Sequence, residues 1–129
     1  MSSTNTTADE LRQILTKFIN DKRSFLNIEI VENLLTMVSE GLRYEILSVI
    51  TDNYRNTVLR EAAGRGHTEL CVTLLSSLPP ADRLKLIFVN KQTALHWAAY
   101  QGYTETVSGI LNCLTADQQL QLLFTQDSD

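Results

Sequence analysis

A chain of 129 residues, with 43% apolar and 20% charged residues, suits one globular domain with a modest core. The net charge of −4 and the scattered lysines and arginines exclude the concentrated basic surface that nucleic acids require. No apolar run is long enough to span a membrane, and two cysteines are too few for a disulfide scaffold, so we expect a cytoplasmic or nuclear protein.

The first 40 residues predict a short tail and two amphipathic helices. We expect residues 1–8 to be a disordered tail, with the capping box Thr7-Ala8-Asp9-Glu10 beginning the first helix. Apolar residues then recur at helical spacing through about Asn20: Leu11, Ile14, Leu15, Phe18 and Ile19. A second helix is predicted from about Ile28 to Ser39, with an inward stripe of Val31, Leu34, Leu35 and Val38.

The stretch LRYEILSVI at residues 42–50 allows two interpretations. It resembles the opening of an F-box, L-P-x-E-I-L-x-x-I, and an F-box would imply an adaptor whose N-terminal helices recruit a second protein. It also stands where LPPADRLKLIF and LTADQQLQLLF stand later in the chain. The next motif begins too soon to leave room for a whole F-box. A short repeat helix is therefore favoured, and the adaptor remains the alternative.

Residues 57–92 and 93–129 are two copies of one pattern at a constant offset. Each copy predicts a short first helix, Val58 to Arg65 and Ala94 to Gln101, capped by the threonine before it. A glycine then supplies the left-handed residue that ends this helix, and a second helix with a stripe of apolar residues follows. A third, shorter helix completes each copy, and in the first of them Pro79-Pro80 suits its opening.

The phrase TALHWAAYQGYTETVSGIL at residues 93–111 resembles the ankyrin-repeat pattern T-P-L-H-x-A-A-x-x-G-H-x-E-x-V-x-x-L-L, and residues 57–75 carry a good second match. The resemblance implies an all-α, ankyrin-like helical solenoid of helix-turn-helix repeats, here with an extra short helix per repeat. Because IEIVENLLTMV is similar to TELCVTLLSSL, we interpret residues 9–56 as a degenerate N-terminal capping repeat. The closing TQDSD is similar to the start of the family's next repeat, so we expect the copy at 93–129 to be truncated before a further one.

The resemblance also implies a function, which is non-catalytic binding of a protein partner on the concave helix face. The variable positions of the first helices would form this surface: Trp97, Tyr100, Gln101, Arg65 and Glu61. Aromatic anchors on such a face are typical of protein interfaces, and the alternative is that Trp97 packs against the short third helix and is partly buried. We therefore expect a monomer that binds a protein, with no cofactor, no metal, no small-molecule substrate and no catalytic residue. Some bacterial members are exported into a host cell, and the sequence leaves that possibility open.

An enzyme or metal protein that uses His67, Cys71 and His96 is the alternative of another class. His67 and Cys71 are spaced as half of a zinc site could be. Each residue also has a structural interpretation, which we favour. His96 would bond Thr93 as the family's T-x-x-H does, and Cys71 stands where the next copy has the apolar Val107.

Overall fold

The computed structural model describes residues 3–21, 26–51, 56–88 and 93–125. These ranges form nine α helices: α1 Ser3–Asn20, α2 Ile28–Met37, α3 Glu40–Val49, α4 Val58–Gly64, α5 Thr68–Ser76, α6 Pro80–Ile87, α7 Ala94–Tyr100, α8 Thr104–Asn112 and α9 Ala116–Thr125. None of these described helices is long and apolar enough to cross a membrane.

The helices group into three successive units of three, which we call unit 1 (α1–α3), unit 2 (α4–α6) and unit 3 (α7–α9). The first helices stack on one another, α1 on α4 and α4 on α7, and the second helices do the same, α2 on α5 and α5 on α8. The third helix α3 packs against α6. One continuous apolar core runs through the stack. The predicted all-α solenoid with an extra short helix per repeat is confirmed.

The N-terminal boundary differs from the prediction. Helix α1 begins at Ser3, so the disordered tail is wrong for residues 3–8, and residues 1–2 lie outside the described ranges. Thr7 and Ala8 are buried inside the helix. The predicted capping box therefore does not begin it. The burial of Ala8 in the core outweighs the local preference of threonine for a cap, since packing routinely overrides local propensity.

The ends of α4 and α7 are built as the sequence predicted. The hydroxyl of Thr57 accepts a hydrogen bond from the Arg60 amide, and that of Thr93 accepts one from the His96 amide, each at 3.2 Å. These bonds satisfy one of the free amides that every helix start presents. At the other end, Gly66 and Gly102 have φ angles of +76° and +80°, the left-handed conformation expected of them.

One arginine at each boundary connects a unit to the next. Arg83 at the start of α6 donates from Nε to the Leu78 carbonyl at 2.8 Å and from Nη1 to the Cys113 carbonyl of unit 3 at 3.0 Å. Arg43 of α3 does the same one unit earlier, donating to Val38 and to Ser77 of unit 2 at 2.8 Å each. The guanidinium thus satisfies carbonyls at the ends of two neighbouring helices. Arg43 belongs to the stretch at residues 42–50 that resembles the opening of an F-box, and this stretch forms the third helix of unit 1.

We expect Arg83→Lys to lower the free energy of unfolding by about 1 kcal/mol, because one ammonium group cannot span two carbonyls as the guanidinium fork does. Urea denaturation measures the loss. Arg12→Lys is the matched control, since Arg12 pairs with Asp9 on the exposed surface and its replacement should change stability by less than about 0.5 kcal/mol. Equal effects of the two substitutions would show that the Arg83 contacts contribute nothing specific.

Candidate protein-binding surface

The outward edge of α7 presents a large aromatic side chain to solvent. Tyr100 is 85% exposed, and Gln101, the C-cap residue of the helix, is exposed beside it. Ala94 and Ala98 on another side of the same helix are fully buried. The orientation of Tyr100 is therefore fixed by the core contacts of its own helix. A rigid, exposed ring of this kind is suited to contact another molecule.

Trp97 is only partly exposed, which differs from the open position that the sequence predicted. Its indole Nε1 is buried and finds no hydrogen-bond acceptor among the described residues. The guanidinium of Arg60 lies 5.4 Å from the centre of the indole ring. Arg60 itself is only 8% exposed, so the ring face partly replaces the water that the cation loses. Trp97 thus joins α7 to α4 and also borders the exposed edge.

Glu61 and Arg65 do not lie on an open surface, and that part of the prediction is corrected. Their side chains are 10% and 14% exposed, and Arg65 Nε lies 2.8 Å from a carboxylate oxygen of Glu61. Arg65 also donates to the Phe18 carbonyl at 2.9 Å, with its guanidinium 4.1 Å from the Phe18 ring. The C-terminal end of α1 covers this part of α4, so the two charged residues hold unit 1 against unit 2.

The sequence did contain a signal for this ion pair. Glu61 and Arg65 are four positions apart with the acid first, the spacing and order that favour a salt bridge on one helix face. The repeat alignment could not show that α1 would reach Arg65. Of the five residues predicted to form the surface, Tyr100 and Gln101 are exposed together, Trp97 borders them, and Glu61 and Arg65 are covered.

His96 has the structural role predicted for it. Its Nδ1 accepts from the Thr93 amide at 3.2 Å and lies 2.9 Å from the Thr93 hydroxyl, which completes a reciprocal cap at the start of α7. Because Nδ1 accepts, the neutral ring carries its proton on Nε2. The histidine is therefore engaged in holding the turn before α7.

His67 and Cys71 both lie in packed surroundings that disfavour their charged forms. The His67 ring lies 6.2 Å from the Phe18 ring, and burial, followed by the nearby Arg65 charge, lowers its pKa. Burial also raises the pKa of the Cys71 thiol to about 12. A thiol held protonated in this way is neither a good nucleophile nor a ready metal ligand. Among the described residues, which include His67, Cys71 and His96, no cluster of three or more His, Cys, Asp or Glu could hold a metal ion.

The raised pKa of Cys71 predicts a loss of stability in alkali. The unfolded chain ionises this thiol near its ordinary pKa of 9.0, whereas the folded protein resists ionisation up to about 12. The contribution of the protonated Cys71 thiol to the free energy of unfolding is therefore fully present below pH 9.0 and is lost as the pH rises toward 12. Cys71→Val, which copies unit 3, should flatten the fall in melting temperature between pH 8 and 10.5, roughly the accessible part of that window. If the melting temperature of this variant fell with pH as steeply as that of the wild type, the alkaline loss of stability would not come from Cys71.

Comparison with known protein families agrees with this architecture. The family model described as ankyrin repeats (3 copies) matches residues 21–121, which is well over half of the chain. The chain therefore belongs to the ankyrin-repeat family, whose members generally act as protein–protein interaction modules and are typically not catalytic. No curated protein and no solved structure matches the chain.

Proposed function

We propose that the chain acts as a monomeric, non-catalytic module that binds a protein partner through a surface centred on Trp97 and Tyr100 and bordered by Gln101. The observation that carries the proposal is the 85% exposure of the Tyr100 ring on a helix whose opposite side is fully buried. An exposed aromatic ring on a rigid helix offers a large apolar contact at a small cost in side-chain entropy. Tyrosine and tryptophan are also the residues that most often dominate binding energies at interfaces.

The surroundings of Tyr100 support a preformed surface. Helix α7 is capped at its start by Thr93 and His96 and is followed by the left-handed Gly102. The indole of Trp97 rests on the Arg60 guanidinium, which anchors α7 to α4. A surface that is already ordered loses little conformational entropy when a partner binds. Glu61 and Arg65 are left out of the proposed surface, because α1 covers their ion pair.

Replacement of Tyr100 tests the proposal without disturbing the core. A partner is first selected from a displayed library of protein fragments, with the wild-type chain as bait, and its dissociation constant is measured by calorimetry. Tyr100→Ala should weaken binding at least about thirtyfold, which corresponds to the loss of a strong anchor of about 2 kcal/mol. The melting temperature should change by no more than about 2 °C, because the side chain contributes little to the core.

Met37→Ala is the matched control, since Met37 is a large apolar residue of unit 1 that is 64% exposed. It should leave the affinity unchanged. Trp97→Ala is less informative, because the partly buried indole also stabilises the contact with Arg60, so its melting temperature is expected to fall as well. A partner that binds the Tyr100→Ala and wild-type chains equally well would contradict the proposed surface.

A further inference from the structure

Gly64, the last residue of α4, is a glycine that neither its backbone nor its packing requires. Gly66 and Gly102 are required by their positive φ angles, which Gly64 does not share. Gly109 is required by close packing, because an added Cβ atom would lie 3.0 Å from Thr68. A Cβ atom built on Gly64 meets none of the described residues within 4 Å, its own helix and chain neighbours apart. Glycine weakens a helix relative to alanine, and it is also used where another molecule approaches the backbone closely.

Gly64 stands beside Tyr100 on the row of first helices. The offset between units 2 and 3 places Gly64 in α4 where Tyr100 stands in α7. Helix α4 packs against α7 on one side and against α1 on the other, so it is the middle helix of the three. Packed helices lie about 8–10 Å apart, so the Tyr100 ring borders a place on α4 from which no side chain projects. We call this place, the backbone of Gly64 between the Tyr100 ring and the Glu61–Arg65 ion pair, the Gly64 shelf.

The charged groups beside the Gly64 shelf are already engaged within the chain. Arg65 Nε lies 2.8 Å from a carboxylate oxygen of Glu61, and the Arg60 guanidinium lies 5.4 Å from the centre of the Trp97 ring. A charged side chain of a partner would therefore lose water over the shelf without gaining an opposite charge. An uncharged apolar side chain fits better, because the ring of Tyr100 offers it an apolar wall.

We propose that the partner protein seats one aliphatic side chain on the Gly64 shelf, against the ring of Tyr100. The partner segment that carries this side chain crosses α4 at Gly64, close to the backbone. The inference rests on the function proposed above, and it adds a second contact point and the chemical class of the partner residue that occupies it. The shelf lies on the middle unit of the described stack, with described helices on both sides.

Gly64→Gln fills the shelf and gives the first test. The probe is the partner fragment selected with the wild-type chain, whose binding Tyr100→Ala weakens, and calorimetry measures its dissociation constant. Glutamine is a good helix former and the described residues leave room for its Cβ atom, so the melting temperature should fall by no more than about 2 °C. Binding should weaken at least about tenfold, because the new side chain occupies the place of the partner's aliphatic group.

Gly41→Gln is the matched control. Gly41 is the second residue of α3 on unit 1, it is exposed, and a Cβ atom added to it also meets nothing described within 4 Å. The same side chain is thus added to a helix with similar open space, on a different unit from Tyr100. The affinity of this variant should equal that of the wild type. Equal weakening by the two substitutions would overturn the shelf, since the effect would not depend on where the glutamine stands.

Alanine substitution along the partner fragment identifies the seated residue. We expect one aliphatic position at which alanine weakens binding to the wild-type chain at least about tenfold, but changes binding to the Gly64→Gln chain by less than about twofold. The second effect is small because the glutamine has already displaced that side chain. A charged residue at the coupled position would overturn the proposed chemistry, and the lack of any coupled position would overturn the contact.

The results distinguish a failure of the shelf from a failure of the proposed function. If Tyr100→Ala weakens binding and Gly64→Gln does not, the surface around Tyr100 stands and the shelf is overturned. If no selected fragment depends on Tyr100, both are overturned. A melting temperature of Gly64→Gln that falls by more than about 2 °C would show that the chain itself fills this space, which also overturns the shelf.

Discussion

Leu75→Ala is expected to lower the free energy of unfolding by about 2–5 kcal/mol, and Leu111→Ala by only about 1–2 kcal/mol. The two leucines hold the same position in successive units. Leu75 is fully buried between units 2 and 3, whereas Leu111 lines an apolar groove at the unit 3 end of the described stack and is partly exposed. Removing Leu75 therefore leaves a cavity with walls on all sides, and removing Leu111 only widens a groove that is already open.

Urea denaturation of the two variants gives the comparison, with the slope of the unfolding curve as a check that both unfold cooperatively. The difference between the two losses matters more than either value, since the same substitution is made at the same position of the second helix in each unit. Equal losses would mean that Leu111 is as well covered as Leu75, which would contradict its partial exposure.

Gly66→Ala is expected to lower the free energy of unfolding by about 2 kcal/mol. At a φ of +76° an alanine is strained by about 1 kcal/mol or more, and the added Cβ would lie 3.2 Å from the Tyr103 ring. The turn cannot easily yield, because the His67 amide donates to the Ala62 carbonyl at 2.9 Å across it. The energetic cost of the strained turn and the cost of displacing the Tyr103 ring therefore add.

Two other glycines separate these contributions. Gly102→Ala has the same left-handed strain at +80° but open space around the new Cβ, so about 1 kcal/mol should be lost. Gly64 is the last residue of α4, and nothing lies within 4 Å of the new Cβ atom, so Gly64→Ala should stabilise the protein by a few tenths of a kcal/mol and by no more than about 1 kcal/mol. Thermal or urea unfolding ranks the three variants. If Gly66→Ala were no worse than Gly102→Ala, the contact with Tyr103 would be without consequence.

The elements that the sequence predicted well are those determined by nearby residues. Thr57 and Thr93 cap their helices, and Gly66 and Gly102 end them, because these roles depend only on a hydroxyl or on a missing Cβ. Because the pattern repeats, a role predicted for a residue in one unit also applied to the corresponding residue of the next unit. The role of His96 was predictable for the same reason, since its partner Thr93 is three residues away.

The features that the sequence did not reveal depend on contacts between units. Arg65 bonds Phe18 from a distant part of the chain, and Arg83 bonds Cys113 across a unit boundary. Repeat alignment treated Arg65 as equivalent to Gln101 and so as exposed. It could not anticipate that α1 has a different length from α4 and α7 and ends beside Arg65. The start of α1 was missed likewise, because the core contact of Ala8 lies outside the local pattern.

Photo-crosslinking tests most directly whether the exposed face of α7 binds the partner. Benzoylphenylalanine is placed at position 100, where the tyrosine is 85% exposed, or at position 37, where the methionine is 64% exposed on unit 1. Each protein is irradiated with the selected partner, and the adducts are identified by mass spectrometry. We expect one discrete adduct from position 100 and none from position 37. An adduct from position 37, with none from position 100, would contradict the proposed binding surface.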